Sequence, residues 1–302
     1  LRFLCQKCAE VKQKIYLFID EYDNFTNMIL SSEEHLERYK GQTHGEGYLR
    51  RFFNTIKGAA NTSLGRIFVT GVSPVTMDDL TSGFNIGTNY SLKPRFNEMT
   101  GFTEEEVRDM LSYYAGVLPF NHTVDELIEI MKPWFDNYCF AINSYGKTTM
   151  YNSIMVLNFV DNYIENDCNI PDKMVEPNIR IDYSKIRMLI RHDKEFAHDA
   201  SIIQELVTKG YATGNLVENF PADRINDPDN FLSLLFYFGL VTIDGEYKGS
   251  TKVIIPNEVV PDQIYTYLLD TYRENDLTFE QYDKNKLESR LAYDGDFKPY
   301  FD

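Results

Sequence analysis

The sequence predicts an α/β fold: a parallel sheet, then a helical and hairpin region, then a winged-helix-like section. Three observations predict it. Two short apolar runs, KIYLFIDEYD at 14–23 and GRIFVTGVSP at 65–74, flank an amphipathic stretch, GEGYLRRFFNTIKGAA at 45–60. Strand, helix, strand with near-continuous apolar strands is the pattern of a parallel α/β unit, so both strands are expected to be buried on both faces. From Thr103 the apolar spacing turns helical, with an aromatic hairpin set between the helices. Finally, DPDNFLSLLFYFGL at 227–240 leads into LVTIDGEYKGSTKVIIPN at 240–257, helix followed by hairpin, which is winged-helix-like organisation.

In chain order, residues 1–13 read as the end of a helix and 14–23 as the first strand. The second strand is stopped by Gly71 and Pro74. Thr103-Glu104-Glu105-Glu106 forms a capping box whose acidic first turn suits the helix dipole. Val124–Met131 is a second helix, ended by Pro133. WFDNYCFAINSYGKTTMYNS at 134–153 reads as an aromatic hairpin around a Gly-containing turn, and Ile154–Ile164 as a helix. Pro171 and Pro177 mark 166–178 as a linker. Helices follow near 184–192 and 197–208. Asp227 is the N-cap and Pro228 the first residue of the next helix. The hairpin at 240–257 is expected to turn at Asp244-Gly245, a further helix to run from Pro261 to Arg273, and the rest, 274–302, is acidic. The boundaries this suggests are 1–100, 101–165 and 166–302.

Composition narrows the function. The 302 residues are 43% hydrophobic, enough for a substantial core, and carry a net charge of −16. That charge disfavours nucleic acid and anionic membranes as partners. No apolar run has the length of a membrane span, and no signal-peptide core is present, so a reducing cytoplasm is expected. Cys5-x-x-Cys8 has no second CxxC and no HxxxH to complete a zinc site, and reads as two small side chains on one helix face.

Chemistry concentrates where the first strand ends. Ile15–Ile19 followed by Asp20-Glu21 is a Walker B pattern: an apolar strand delivers two carboxylates to the crevice where α/β sheets bind ligands. Asp20 would hold the water shell of Mg²⁺, and Glu21 would polarise an attacking water. Thr70 ends the second strand in the place of a polar sensor; a β-branched residue satisfied by the backbone is the plainer alternative.

At LFIDEYDNF, GRIFVTGVSPVTMDDLTSGFNIGTNYSL, RFNEMTGFTEEEV, WFDNYCFA and MYNSIMVLNFV the chain resembles the bacterial AAA-ATPase-like family, often fused to a C-terminal nuclease-like domain of the PD-(D/E)XK type. The resemblance spans about residues 10–300. It implies an ASCE-type P-loop NTPase sheet, here incomplete, with ATP and Mg²⁺ as ligands of the intact protein. It places Walker B at Asp20 and Glu21, adds Asp23 from the same Asp-Glu-Tyr-Asp box, and puts Thr70 at the sensor strand's end. Arg95 becomes a candidate phosphate-reaching arginine, with a clamp on Glu98 or Glu104 as the competing role. The resemblance also implies a phosphate loop well upstream of Walker B, yet the 19 residues before Asp20 contain no Gly-Lys-Thr or Gly-Lys-Ser. The chain therefore reads as an internal fragment, without the phosphate loop or the nuclease-like domain, and inactive alone.

AINSYGKT at 141–148 matches the phosphate-loop pattern loosely. A phosphate loop follows a buried strand and opens a helix, so that its N–H groups face the phosphates. Gly146-Lys147-Thr148 lies downstream of Walker B, after the bulky Tyr145, and Thr149–Asn152 continues as β structure. It is expected to be a hairpin turn. Three functions remain in view: an ATPase module by descent, a non-enzymatic module that binds a protein partner or gates the adjacent nuclease-like domain, and DNA binding through a wing near Lys248 and Lys252, which the charge disfavours.

Overall fold

A computed structural model describes residues 1–23, 47–60, 62–72, 87–175, 202–221, 224–225 and 227–261. The chain divides into two compact units, Leu1–Val260 and Pro261–Asp302; of the second only Pro261 is among the described residues. The helix expected near 184–192 lies outside them, as does most of the stretch that begins at Pro261.

The first unit opens with helix α1 (Arg2–Glu10), strand β1 (Ile15–Ile19), helix α2 (Tyr48–Ala59) and strand β2 (Leu64–Val69). The two strands pair in parallel, Ile15 opposite Leu64 and Ile19 opposite Val69, which is the mixed α/β arrangement the sequence predicts. Cys5 of α1, Phe53, Ile56 and Ala59 of α2 and Leu64 of β2 form a small core, with Ile15, Leu17 and Ile19 against it. The strands alternate instead of burying both faces. Tyr16 is 65% exposed and Phe18 74%, and Phe18 meets Phe68 with ring centroids 6.3 Å apart on the uncovered side. Among the described residues helices pack on one face of this pair, so alternate side chains leave water.

A helical core follows: α3 (Glu104–Ala115), α4 (Val124–Phe135) and α5 (Ser153–Glu165). Both α3 and α4 start on full capping boxes. Thr103 and Thr123 each accept the N–H three residues on, while Glu106 and Glu126 reach back. Thr123→Ala is expected to cost about 1 kcal/mol, read from the shift in a urea unfolding midpoint. Pro133 does not end α4 but sits in its last turn, because Met131 and Phe135, both fully buried, carry the helix on. Across the helix pair, Lys132 and Arg108 hydrogen-bond Glu104 and hold its carboxyl below the usual range.

Between α4 and α5 the expected hairpin is reduced to one isolated bridge, Tyr138 with Met150, around a short 3-10 turn at Ile142–Ser144; Tyr151 bridges Phe102 instead. Buried Asn97 explains this. Its Oδ1 accepts from the N–H groups of Phe140 and Ala141, so that stretch bonds a side chain rather than a partner strand.

Helix α6 (Ile202–Lys209), strand β3 (Ala212–Gly214), helix α7 (Pro228–Tyr237) and strands β4 (Thr242–Tyr247) and β5 (Ser250–Ile254) complete the described residues. Asp227 and Pro228 start α7 as expected. The three strands form an antiparallel sheet in the order β3-β5-β4. The hairpin turns at Lys248-Gly249, both with positive φ, and not at Asp244-Gly245. Gly245, at φ +90, makes a bulge within β4, where the register shifts between Ile243 and Glu246. No helix among the described residues is long and apolar enough to cross a membrane.

Candidate functional site

The parallel pairing of β1 and β2 brings their C-terminal ends side by side, and the polar residues of both runs meet there. Thr70 N–H donates to the Ile19 carbonyl at 2.8 Å, and Tyr22 N–H to the Thr70 carbonyl at 3.1 Å, so the ladder continues past the last strand residues. The Thr70 hydroxyl donates to Asp20 Oδ1 at 2.5 Å, and Glu21 N–H donates to the same oxygen at 2.9 Å. Asp20 Oδ2 has no hydrogen bond among the described residues, and Asp20 and Glu21 are both exposed. One carboxylate oxygen is thus fixed and the other is open. Glu21 has φ +48, a left-handed conformation that a non-glycine residue enters at a cost. The turn it makes lets Asp20 and Glu21 remain in water while the chain bends inward at Tyr22 and Asp23.

Asp23 plays a different part. It is 2% exposed, and both its oxygens lie 3.2 Å from the Val72 N–H that donates to them, tying the loop after β1 to the loop after β2. Its carboxylate is spent on the scaffold. Burial first, then the neighbouring Asp23 and Tyr237, hold the Tyr22 phenol well above its ordinary pKa, so Tyr22 is a neutral packing group. A Cβ on Gly71 would collide with the Tyr22 ring and the Asp23 carboxylate. Gly71 therefore does more than stop a strand: its bare backbone lets the two loops close on each other. Gly71 and Tyr22 are the residues sequence reasoning passed over here, and the glycine directly after a strand end was their signal.

The remaining sequence candidates lie elsewhere. Arg95 is exposed, in the 3-10 turn Pro94–Phe96, with its guanidinium 5.4 Å from the centre of the Phe96 ring. It clamps neither Glu98 nor Glu104 among the described residues; Glu104 is held by Arg108 and Lys132. Gly146-Lys147-Thr148 follows the 3-10 turn, with Gly146 at φ +75, nothing within 4 Å of where its Cβ would be, and Lys147 N–H donating to the Ser144 carbonyl. The next helix begins only at Ser153. Cys5 is buried in the sheet's small core and Cys8 is half-buried on the same helix; both are free thiols. Among the described residues no group of three or more His, Cys, Asp or Glu is gathered to hold a metal ion. A Mg²⁺ held through one carboxylate, water and phosphate oxygens needs no such group, and the open oxygen of Asp20 suits that mode.

Residues 1–81 match the family model described as a predicted AAA-ATPase. The match takes in both parallel strands with Asp20, Glu21, Asp23 and Thr70, and stops short of Arg95 and Gly146. Neither the curated proteins nor the solved structures give a match to this chain.

Proposed function

We propose that residues 1–81 carry the Walker B half of an AAA-ATPase-like nucleotide site, with ATP and Mg²⁺ as ligands of the intact protein. The observation that supports this most is the Thr70 hydroxyl bonded to Asp20 across the ends of adjacent parallel strands. The Ile19 carbonyl lies farther from that hydroxyl, at 3.5 Å, so the carboxylate is its nearer partner and is oriented with one oxygen open. In this reading Asp20 would hold the metal's water shell, Thr70 would keep that carboxylate from rotating, and Glu21 would take the proton of the attacking water. Mg-ATP, when bound, supplies the cation and the phosphoryl group. The intact protein would be cytoplasmic.

The other half of the site would be a phosphate loop, and the one Gly-Lys-Thr in these 302 residues is at 146–148. Calorimetry tests this. Mg-ATP titrated into the 302-residue chain is expected to show no binding tighter than about millimolar, since most β- and γ-phosphate contacts come from such a loop. Micromolar binding would overturn the reading that these 302 residues hold no phosphate loop.

A second reading is a non-enzymatic module that binds a protein or gates a neighbouring nuclease-like domain, and the uncovered aromatic face at Tyr16 and Phe18 favours it. The sheet order β3-β5-β4 with α6 and α7 supports the winged-helix-like description of the later region. DNA binding there draws no support, because Asn230–Phe236 of α7 are all buried and Lys252 is paired with Asp244.

A further inference from the structure

A groove of about 340 Å³ opens on the outer side of the helical core, between α3 and α5. Met110 and Tyr114, one turn apart, line one wall; Leu157, Asp161 and Ile164 line the other at helical spacing. Its apolar character continues outward, with Tyr113 69% exposed, Ile154 63% and Leu157 50%. Met110, Tyr114 and Ile164 also pack against the helical core, whereas the exposed Tyr113, Ile154 and Leu157 are not among its described residues.

Among the described residues, the charged side chains of α3 and α5 that flank the groove are acidic. On α3, Glu106 lies one turn before Met110, and Asp109 one turn before Tyr113; on α5, Asp161 and Glu165 are one turn apart, and all four are exposed. Helix α5 contains no Lys or Arg. The single basic residue of α3, Arg108, is turned away to Glu104 and Asp125. An apolar stripe interrupted by Asn158 and Asp161, with further carboxylates beside it, fits an amphipathic helix that carries bulky apolar residues on one face and Lys or Arg among and beside them.

We propose that the α3–α5 groove docks a basic amphipathic helix of a partner protein. The proposal is independent of the nucleotide reading, since no residue of the groove lies within 1–81. The exposed Leu157 supplies affinity, and the carboxylates set charge preference and raise the encounter rate.

The probe is a fluorescent peptide of about 18 residues, five helical turns, with Leu on one face and Lys on the other. Its partner peptide has every Leu replaced by Ser and the same charge, which measures attraction to the −16 chain alone. By anisotropy the Leu peptide is expected to bind about tenfold tighter than the Ser peptide, the order expected for burying one Leu side chain. Leu157→Arg should erase that difference, Asp161→Lys should weaken binding and flatten its salt dependence, and Phe18→Arg, on the sheet, should leave it intact. Leu157 is half exposed, so an unchanged melting curve checks that its variant folds. Equal loss with Phe18→Arg, or no preference for Leu over Ser, overturns the proposal. So does a dimer that Leu157→Arg converts to monomer on sedimentation, which would make the groove a contact between copies.

Discussion

Glu21→Gln is expected to lower ATP turnover by the intact protein by about 10²–10⁴-fold, the range for losing a positioned general base. Gln keeps the size of the side chain and its amide oxygen can still accept a hydrogen bond, but it cannot take up the proton of the attacking water. Among the described residues nothing at the Glu21 side chain holds the fold: it is exposed, and the hydrogen bond to Asp20 is made by the backbone N–H, which Gln retains. Affinity for Mg-ATP should stay within about threefold, because the loss lies in the transition state and not in ground-state binding. The measurement is steady-state phosphate release beside nucleotide binding on the same preparation. Full turnover in the variant would reject the catalytic role and leave the non-enzymatic reading.

Phe135→Ala is expected to remove about 3–5 kcal/mol of stability, among the largest effects a single core truncation has. Phe135 has no exposed surface, its ring lies 5.9 Å from that of Phe159, and its carbonyl accepts from the N–H of Asn152, which caps α5. The ring thus joins α4 to α5 just where the chain leaves one helix and prepares the next. A typical domain has only about 5–15 kcal/mol in all, so the variant should unfold at far lower denaturant with its slope unchanged. A loss below about 1 kcal/mol would mean that the cavity collapses and that the α4–α5 junction does not depend on this ring.

Which parts of the fold could be read from sequence follows from which signals are local. The two strands, the capping box at Thr103 and the Asp227-Pro228 start of α7 were legible because each is written in a few consecutive residues. The box at Thr123 is written the same way, Thr-Val-Asp-Glu, and could have been found. What failed depends on distant partners. Tyr16 and Phe18 suit either a buried strand or an uncovered one, and only the number of packed layers decides. Asp244-Gly245 carries a hairpin-turn signature, but its glycine serves a bulge, while the turn uses Lys248, a residue with no turn preference. At the candidate site the carboxylates of Asp20 and Glu21 could be read from the strand's end. The confinement of Asp23 could not, because it rests on Val72 across the loop.

The backbone at Glu21 sets durability against activity. A glycine there would relieve a left-handed conformation worth about 1–2 kcal/mol, and would be a natural choice for anyone making this protein more heat-resistant. It would also delete the carboxylate on which the proposed hydrolysis depends. A homologue or engineered variant with glycine at this position should therefore be read as a trade of turnover for robustness, even if every neighbouring residue is retained.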